Sequence, residues 1–458
     1  MKTYVLGIVL FFTIILIPIF AFPQAGSAPD FRAFFENGIS EVESDVYYFM
    51  TPGLDAQLRV PTIGCGQDEC RSDLRFRLQV PFRLRLSESN AQSLLREEDW
   101  NEPSDYARVL PRFQFGNKNE ALFVQLGELS PVDIGHASIV SEYSNAFSLN
   151  TFRPGALAIL NTEFGGFELL IDNVFSPDLV AGRVFLRPFG NAKSANYFAR
   201  LSSSFELGLT LAMDYHAPLR LHALEKKVDV YGQIRVEEEG IKTIGGIDAE
   251  FTIFSNEGVE LIPFADLNVS KKSLALHYGV DLNVFANEIR FWLRGEGRLF
   301  EKNYIPNYFG TTYDIDRYQF SGWGQPFATP KSRASFDTEL GKGIRILAGL
   351  SLDPTLAFSI EYAIHNIGHS GNLVLKMDWQ PLQNLFLGLF FLRPNFETFE
   401  EIFKANKSVI VSEIRYDFYG PFYAFASYEQ KFSLQENGLY SATRDGALGL
   451  GVQVLFGN

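Results

Sequence analysis

The feature that most constrains this fold is a strict alternation of apolar and polar residues over unusually long runs. Such alternation places one set of side chains on each face of a β-strand. Three runs show it most clearly, at 74–86, 205–215 and 273–284, and each is 11 to 13 residues long. A strand of a soluble protein averages about five or six residues, whereas a tilted strand that crosses a bilayer needs about nine to eleven. The run lengths therefore predict membrane-spanning strands.

The arrangement of these runs predicts a closed sheet. About twenty alternating windows occur after residue 50, and turn residues such as Gly165-Gly166 and Asn287-Glu288 separate several of them. Long polar segments separate others, at 87–107, 129–153, 300–333 and 394–406. Short turns mixed with long loops are typical of membrane barrels. Because two to four windows are expected to be false or merged, the prediction is an all-β fold: a transmembrane antiparallel up-and-down β-barrel of about 16–18 strands at residues 51–458.

The N-terminus predicts export. Met1-Lys2 is positively charged, the stretch from Tyr4 to Phe22 is almost wholly apolar, and small residues follow Pro23. Residues 1–28 are therefore expected to be a signal peptide that is cleaved, and an uncleaved anchor helix is the alternative. Residues 29–50 do not alternate and are expected to form a lead-in segment in the lumen or at a rim. No later run reaches 18 apolar residues, which excludes a polytopic helical membrane protein.

The last alternating run carries a second signature. Gly451 is followed three residues later by Val454 and two beyond that by Phe456, although Gly457 and Asn458 come after the aromatic residue. This spacing resembles the terminal strand of outer-membrane β-barrel proteins of the porin-like class. The resemblance implies recognition by the barrel-assembly machinery and a location among the lipids of the outer membrane of a diderm bacterium. It names no subfamily and leaves the oligomeric state open.

The polar face of the strands predicts the character of the lumen. If the apolar face meets lipid, a set of arginines faces inward; these are Arg59, Arg75, Arg77, Arg83, Arg85, Arg290, Arg294 and Arg298. Guanidinium groups stay charged and offer donors to a passing anion. The alternative is that they pair with lumen carboxylates such as Asp55 or Glu296 and stiffen the wall. The favoured function is passive diffusion of small hydrophilic solutes through an anion-leaning channel.

Other functions receive less support. The formal net charge of −14 argues against a nucleic-acid partner, since phosphate binding needs a basic surface. The six histidines are too scattered in sequence to predict a metal site, and no motif predicts a cofactor. A surface-exposed binding or adhesin barrel remains an alternative, because the aromatic-rich loop 300–333 suits contact with sugar or lipid. An inward-folded loop that constricts the pore explains the same aromatics.

Two short sequence features complete the analysis. His136 and Ser138 are spaced as in outer-membrane lipid esterases, which they resemble, so that His136 would activate the serine hydroxyl. The triplet is too short to outweigh chance, and the protein is not expected to be an enzyme. Cys65 and Cys70 are the only cysteines. In an exported chain they are expected to form a local disulfide.

Overall fold

The computed structural model describes 18 segments of the chain, namely 30–42, 45–61, 71–86, 93–101, 103–118, 120–129, 131–146, 152–190, 201–221, 236–271, 273–318, 330–334, 339–353, 355–364, 371–396, 398–403, 408–434 and 440–456. The predicted signal peptide at 1–28 and both cysteines lie outside these residues. None of the helices in the described segments is long and apolar enough to cross a membrane.

The described residues form one sheet of 22 strand segments. In chain order the segments are β1 (Asp30–Val42), β2 (Asp45–Pro61), β3 (Arg71–Gln79), β4 (Phe82–Arg85), β5 (Arg112–Phe115), β6 (Leu122–Gly127), β7 (Gly155–Thr162), β8 (Gly165–Ile171), β9 (Leu179–Leu186), β10 (Glu206–Leu221), β11 (Val236–Glu250), β12 (Phe254–Ser255), β13 (Val259–Ser270), β14 (Ser273–Ala286), β15 (Ile289–Glu301), β16 (Leu340–Leu352), β17 (Leu356–Ile364), β18 (Gly371–Leu382), β19 (Leu385–Phe396), β20 (Val409–Tyr419), β21 (Phe422–Leu434) and β22 (Tyr440–Phe456). Short helical turns lie at Glu97–Asp99, Pro103–Val109, Tyr313–Asp316, Lys331–Arg333 and Phe399–Phe403.

The sheet closes on itself. Each wall strand pairs antiparallel with its neighbours in sequence, and β1 pairs with β22 in the register Phe31 to Phe456 and Val42 to Asp445. β3 and β4 are two parts of one strand, because both pair with β2. They are interrupted at Pro81, which has no N–H to give to the ladder. β11 and β12 likewise share β13 as a neighbour. The wall thus has 20 strands, and the predicted antiparallel up-and-down barrel is confirmed.

The strand number and the role of residues 29–50 differ from the predictions. The wall has 20 strands instead of about 16–18, and it begins at Asp30 instead of residue 51. β1 and the first part of β2 occupy the predicted lead-in. These strands were missed because inward-facing aromatics break their alternation. Phe34 and Phe49, for example, both lie on the inner face and are buried.

The two faces of the wall differ in chemistry, as the alternation predicted. On β10 the outward Leu207, Leu209 and Leu211 are exposed, whereas Glu206 and Thr210 on the inner face are buried. An apolar band outside and a polar interior are the arrangement that a barrel needs in a bilayer. The band therefore fits contact with lipid, and the polar side chains line the lumen.

The connections at the two ends of the barrel have different lengths. The end that carries Asp30 and Phe456, called the terminal rim, has tight turns such as 287–288 and 420–421. Asn287 and Gly420 adopt positive φ there, of 55° and 52°, as tight turns require. The opposite end, called the loop rim, carries long connections at 86–111, 128–154 and 302–339.

Candidate functional site: the barrel lumen

Two long loops from the loop rim fold into the barrel and join there. Val140 forms a parallel bridge with Phe309, Ser141 N donates to the carbonyl of Phe309 at 3.1 Å, and Phe309 N donates to that of Ile139 at 3.1 Å. Residues 131–146 and 302–318, which are called the plug from here on, therefore form one unit inside the lumen. The predicted loop segment 129–153 supplies the first half of the plug.

The plug has an apolar core that it shares with the barrel wall. Tyr304, Tyr308, Phe309 and Tyr313 are almost fully buried and pack with residues of β7 to β10. The aromatic loop was interpreted either as a surface for external sugar or lipid or as an inward-folded loop, and its described part folds inward. In the part of the loop that the structure describes, these aromatic rings are not available to an external partner.

His136 anchors one half of the plug to the wall. Its Nδ1 lies 2.7 Å from a carboxylate oxygen of Asp266, and its Nε2 lies 2.8 Å from one of Glu250. Burial alone would lower the pKa of the imidazole, but the two carboxylates outweigh burial and raise the pKa to about 10. His136 therefore carries a charge at neutral pH. Its ring also stacks on Phe264, with ring centroids 4.5 Å apart.

Further polar contacts hold the plug at other points of the wall. Arg294 on β15 donates to the carbonyl of His136 at 3.0 Å. Glu142 at the opposite side of the plug forms an ion pair with Lys376 on β18. In the second loop, Arg317 pairs with Asp214 on β10 at 3.2 Å. Polar contacts to three separate regions of the wall hold the plug in the lumen.

The plug leaves an open region along β1 to β5 and along β21 and β22. Two adjoining cavities lie there, of about 480 Å³ near the terminal rim and about 280 Å³ farther in, and both are lined by Gln79 and Glu128. Together these cavities are called the passage. Eight cationic side chains line it: Arg32, Arg75, Arg77, Arg83, Arg108, Arg112, Arg153 and Lys431. Five acidic side chains line it: Asp30, Asp55, Glu128, Glu429 and Asp445.

A closed 20-strand wall with an apolar outer band, a polar lumen and an inward-folded plug is now established. The fold is that of a closed, antiparallel up-and-down β-barrel of the kind that crosses a bilayer.

No family model and no curated protein matches this chain. Solved structures with a similar arrangement include a triple mutant of the Rhodopseudomonas blastica porin, with 9% identity over 93% of this chain and 100% of that chain at a TM-score of 0.27. Pseudomonas aeruginosa OccK11 is similar with 10% identity over 94% and 95% at a TM-score of 0.32. The ferric enterobactin receptor PfeA of the same species, as a G324V mutant, is similar with 8% identity over 94% and 81% at 0.31. Values this low carry no inference about function.

Within the barrel, the predicted arginines of β3 and β4 have carboxylate neighbours. Arg77 pairs with Asp55 at 2.7 Å, as the sequence indicated. Arg75 pairs with Asp73 on its own strand at 2.7 Å, and Asp73 also lies 4.0 Å from Arg59. The two arginines of β4 have carboxylate partners as well. Arg83 lies 3.3 Å from Asp99 and 3.6 Å from Asp445, and Arg85 lies 3.2 Å from Asp45. Neighbouring carboxylates therefore neutralise much of the positive charge of these arginines.

The three predicted arginines of β15 do not join this group. Arg294 forms a two-pronged pair with Asp281, and Arg298 is fully buried against Glu296 at 2.6 Å. Arg290 lies near the terminal rim in a separate cavity of about 340 Å³. The single arginine-lined lumen predicted from the sequence is thus divided in two by the plug.

Several residues of the passage escaped the sequence analysis. Arg112 is exposed to the lumen and donates to Gln114 at 3.0 Å, and its alternation with Phe113 and Phe115 was the signal that could have revealed it. Arg32 lay hidden in the segment taken as a lead-in. Arg153 belongs to a loop whose path no local pattern specifies.

The geometry at His136 and Ser138 is wrong for an esterase. Ala137, between them, adopts a positive φ of 65°, so the two side chains do not share one face of an extended strand. Carboxylates occupy both ring nitrogens of His136, which leaves neither nitrogen to accept a proton from the Ser138 hydroxyl. The arrangement is a structural anchor and lacks an available general base.

The only metal-compatible group found among the described residues is His136, Asp248 and Asp266. Arg183 already pairs with Asp248, through Nε at 3.1 Å and through Nη2. His136 itself neutralises Asp266. Charges supplied by the protein thus balance these carboxylates, and nothing in the cluster requires an ion.

The terminal signature has a structural explanation. A side chain at Gly451 would meet the ring of Tyr423 at 2.1 Å, so only glycine lets that ring lie against β22. Val454 and Phe456 lie on the outer face and are exposed. Recognition by the assembly machinery remains a prediction, and the disulfide between Cys65 and Cys70 remains one as well.

Proposed function

We propose that this protein is an outer-membrane channel for passive diffusion of small hydrophilic solutes, with a preference for anions in the passage. The observation that carries the proposal is the charge of the passage lining, with eight cationic against five acidic side chains. This excess opposes the net charge of −14 of the whole chain. Selectivity follows the groups that face the permeating ion.

Arg112 is the residue best placed to interact with a permeating anion. Its guanidinium has no carboxylate within 4.0 Å among the described residues, whereas Arg75 and Arg77 beside it are paired. An unpaired guanidinium keeps its N–H donors available to a solute carboxylate or phosphate. The paired arginines then act mainly as a rigid polar wall.

Reversal potentials in planar bilayers test this proposal. Arg112→Gln should shift the reversal potential under a salt gradient toward cation preference, and the shift should shrink at high salt because of screening. Arg290→Gln is the matched control, since Arg290 is also an unpaired lumen arginine but lies outside the passage. Absence of conductance in the folded protein would refute the channel. An unshifted potential in Arg112→Gln would refute its role in anion preference.

Export and orientation form part of the same proposal. Residues 1–28 are removed as a signal peptide, and the terminal segment of β22 is read by the barrel-assembly machinery. The terminal rim faces the periplasm, because short turns lie on that side in outer-membrane barrels. Mass spectrometry of the mature N-terminus tests the first statement, and protease access to the loop rim in intact cells tests the last.

A further inference from the structure

The plug separates a second compartment from the passage. This compartment, called the side pocket, has a volume of about 340 Å³ and is lined by Asp133 of the plug and by residues of β14, β15 and β16. Ligand pockets in proteins span about 300–1,000 Å³, so the side pocket suits a small molecule. Of its lining residues, the arguments below use Asp133, Arg290, Trp292 and Leu347.

The side pocket is closed toward the loop rim. The inward side chains of β15 become less accessible along the strand: Arg294 is 18% exposed, and both Glu296 and Arg298 are 0% exposed. On the passage side, the inward arginines stay accessible, with 45% exposure at Arg77 and 27% at Arg83. A solute can therefore enter the side pocket from the terminal rim but cannot continue through it. Its geometry is that of a binding site.

Two opposite charges in the side pocket are not neutralised by a close partner. Arg294 and Asp281 cancel each other in a two-pronged pair. No described carboxylate lies within 4.0 Å of the Arg290 guanidinium, which is positioned by the rings of Phe285 at 5.5 Å and Trp292 at 5.7 Å. Asp133 is exposed and accepts only the backbone N–H of Glu142, at 2.6 Å, among the described hydrogen bonds.

The apolar wall of the side pocket is also specifically built. Trp292 lies flat against β16 at Gly349, where an added Cβ would come within 2.1 Å of the indole ring. Glycine at this position thus provides the space for the ring. Leu347, the neighbour of Gly349 on the same face, extends the apolar surface. An aromatic and an aliphatic surface beside fixed charges suit a ligand with an apolar body.

We propose that the side pocket binds a small zwitterion with an apolar body, of the amino-acid class. Arg290 binds its carboxylate, Asp133 binds its ammonium group, and Trp292 with Leu347 contacts its side chain. This site is separate from the passage, and its ligand does not have to cross the barrel.

Quenching of Trp292 fluorescence tests this proposal in detergent-solubilised protein. The probe is 4-nitro-L-phenylalanine, whose nitroaromatic ring quenches indole emission. Because the chain has four tryptophans, the emission of Trp292 is obtained as the difference between the unmodified protein and Trp292→Phe. We expect saturable quenching by the probe. Binding should be weaker for 4-nitrobenzoate, which lacks the ammonium group, and for 4-nitrophenethylamine, which lacks the carboxylate.

Variants assign the contacts. Arg290→Gln and Asp133→Asn should each weaken probe binding about tenfold or more, as expected for the loss of a charge-assisted hydrogen bond. Gly349→Ala should also weaken binding, because the methyl group displaces the indole. Arg112→Gln in the passage should leave binding unchanged, and heat-modifiable migration verifies folding of each variant. Non-saturable quenching, unchanged binding in Arg290→Gln, or loss of binding in Arg112→Gln would overturn the proposal. The last result would place the ligand in the passage and leave the proposed channel intact.

Discussion

Replacement of His136 by phenylalanine should loosen the plug by about 4 kcal/mol at neutral pH. The pKa of His136 rises from 6.5 to about 10 in the seated plug, each pKa unit corresponds to about 1.36 kcal/mol, and at neutral pH only the part of the rise above pH 7 counts. The loss of one partner from a buried ion pair costs about 3–5 kcal/mol, so two independent routes agree. Phenylalanine retains the stacking on Phe264, which confines the change to the charge and its hydrogen bonds.

The expected result is a plug that leaves its seat more often. A change of about 4 kcal/mol corresponds to about three orders of magnitude in the equilibrium between seated and released plug. Protease cleavage within the loop that carries residues 131–146 should accelerate, and conductance in planar bilayers should become larger and noisier.

A matched control is His216→Phe, since His216 also contacts a carboxylate, at 3.0 Å from Asp178, but its side chain is 53% exposed. This variant should behave like the unmodified protein. If His136→Phe shows the same cleavage rate and conductance noise as His216→Phe, the carboxylates are neutralised in another way. The electrostatic anchor would then be refuted.

Three further predictions concern Glu142, Asn145 and the two cysteines. Burial and the charge of Glu361 raise the pKa of Glu142 to about 7, although Lys376 lowers it and Asp133 adds to the rise. Because protonation is thus favoured in the seated plug, seating should be strongest below about pH 4.5 and weaken as the pH rises through 7. Protease cleavage should therefore become faster as the pH rises through 7, and this pH dependence should be absent in Glu142→Gln. Asn145 Nδ2 lies within hydrogen-bond distance of the carbonyls of Gly127, Arg153 and Asp172. Asn145→Asp cannot donate to these carbonyls, so it should destabilise the end of the plug at residue 145 by about 1–3 kcal/mol and speed protease cleavage about tenfold. An unchanged cleavage rate would exclude this role of Asn145. Cys65 and Cys70 should resist alkylation until they are reduced, and full labelling without a reductant would exclude the disulfide.

The sequence by itself determined the class of fold, because one local rule is enough for it. Strand runs of 11 to 13 residues with one apolar face can be buried only in a core or in lipid, and their length matches the bilayer. The same rule assigns the polar faces of β3, β4 and β15 to the lumen. β1 and the start of β2 were missed, since inward aromatics such as Phe34 and Phe49 obscure the period of two.

The tertiary structure alone decided what fills the lumen. Loops carry no periodicity that records their path, and residues such as Ser141 and Phe309 meet across more than 160 positions of sequence through backbone hydrogen bonds. That meeting places His136 among the carboxylates of β11 and β13 and converts an apparent catalytic pair into an anchor. It also separates Arg290 from Arg112, two arginines that both face the lumen. Their surroundings differ because the plug lies between them, and no property of either strand specifies the plug.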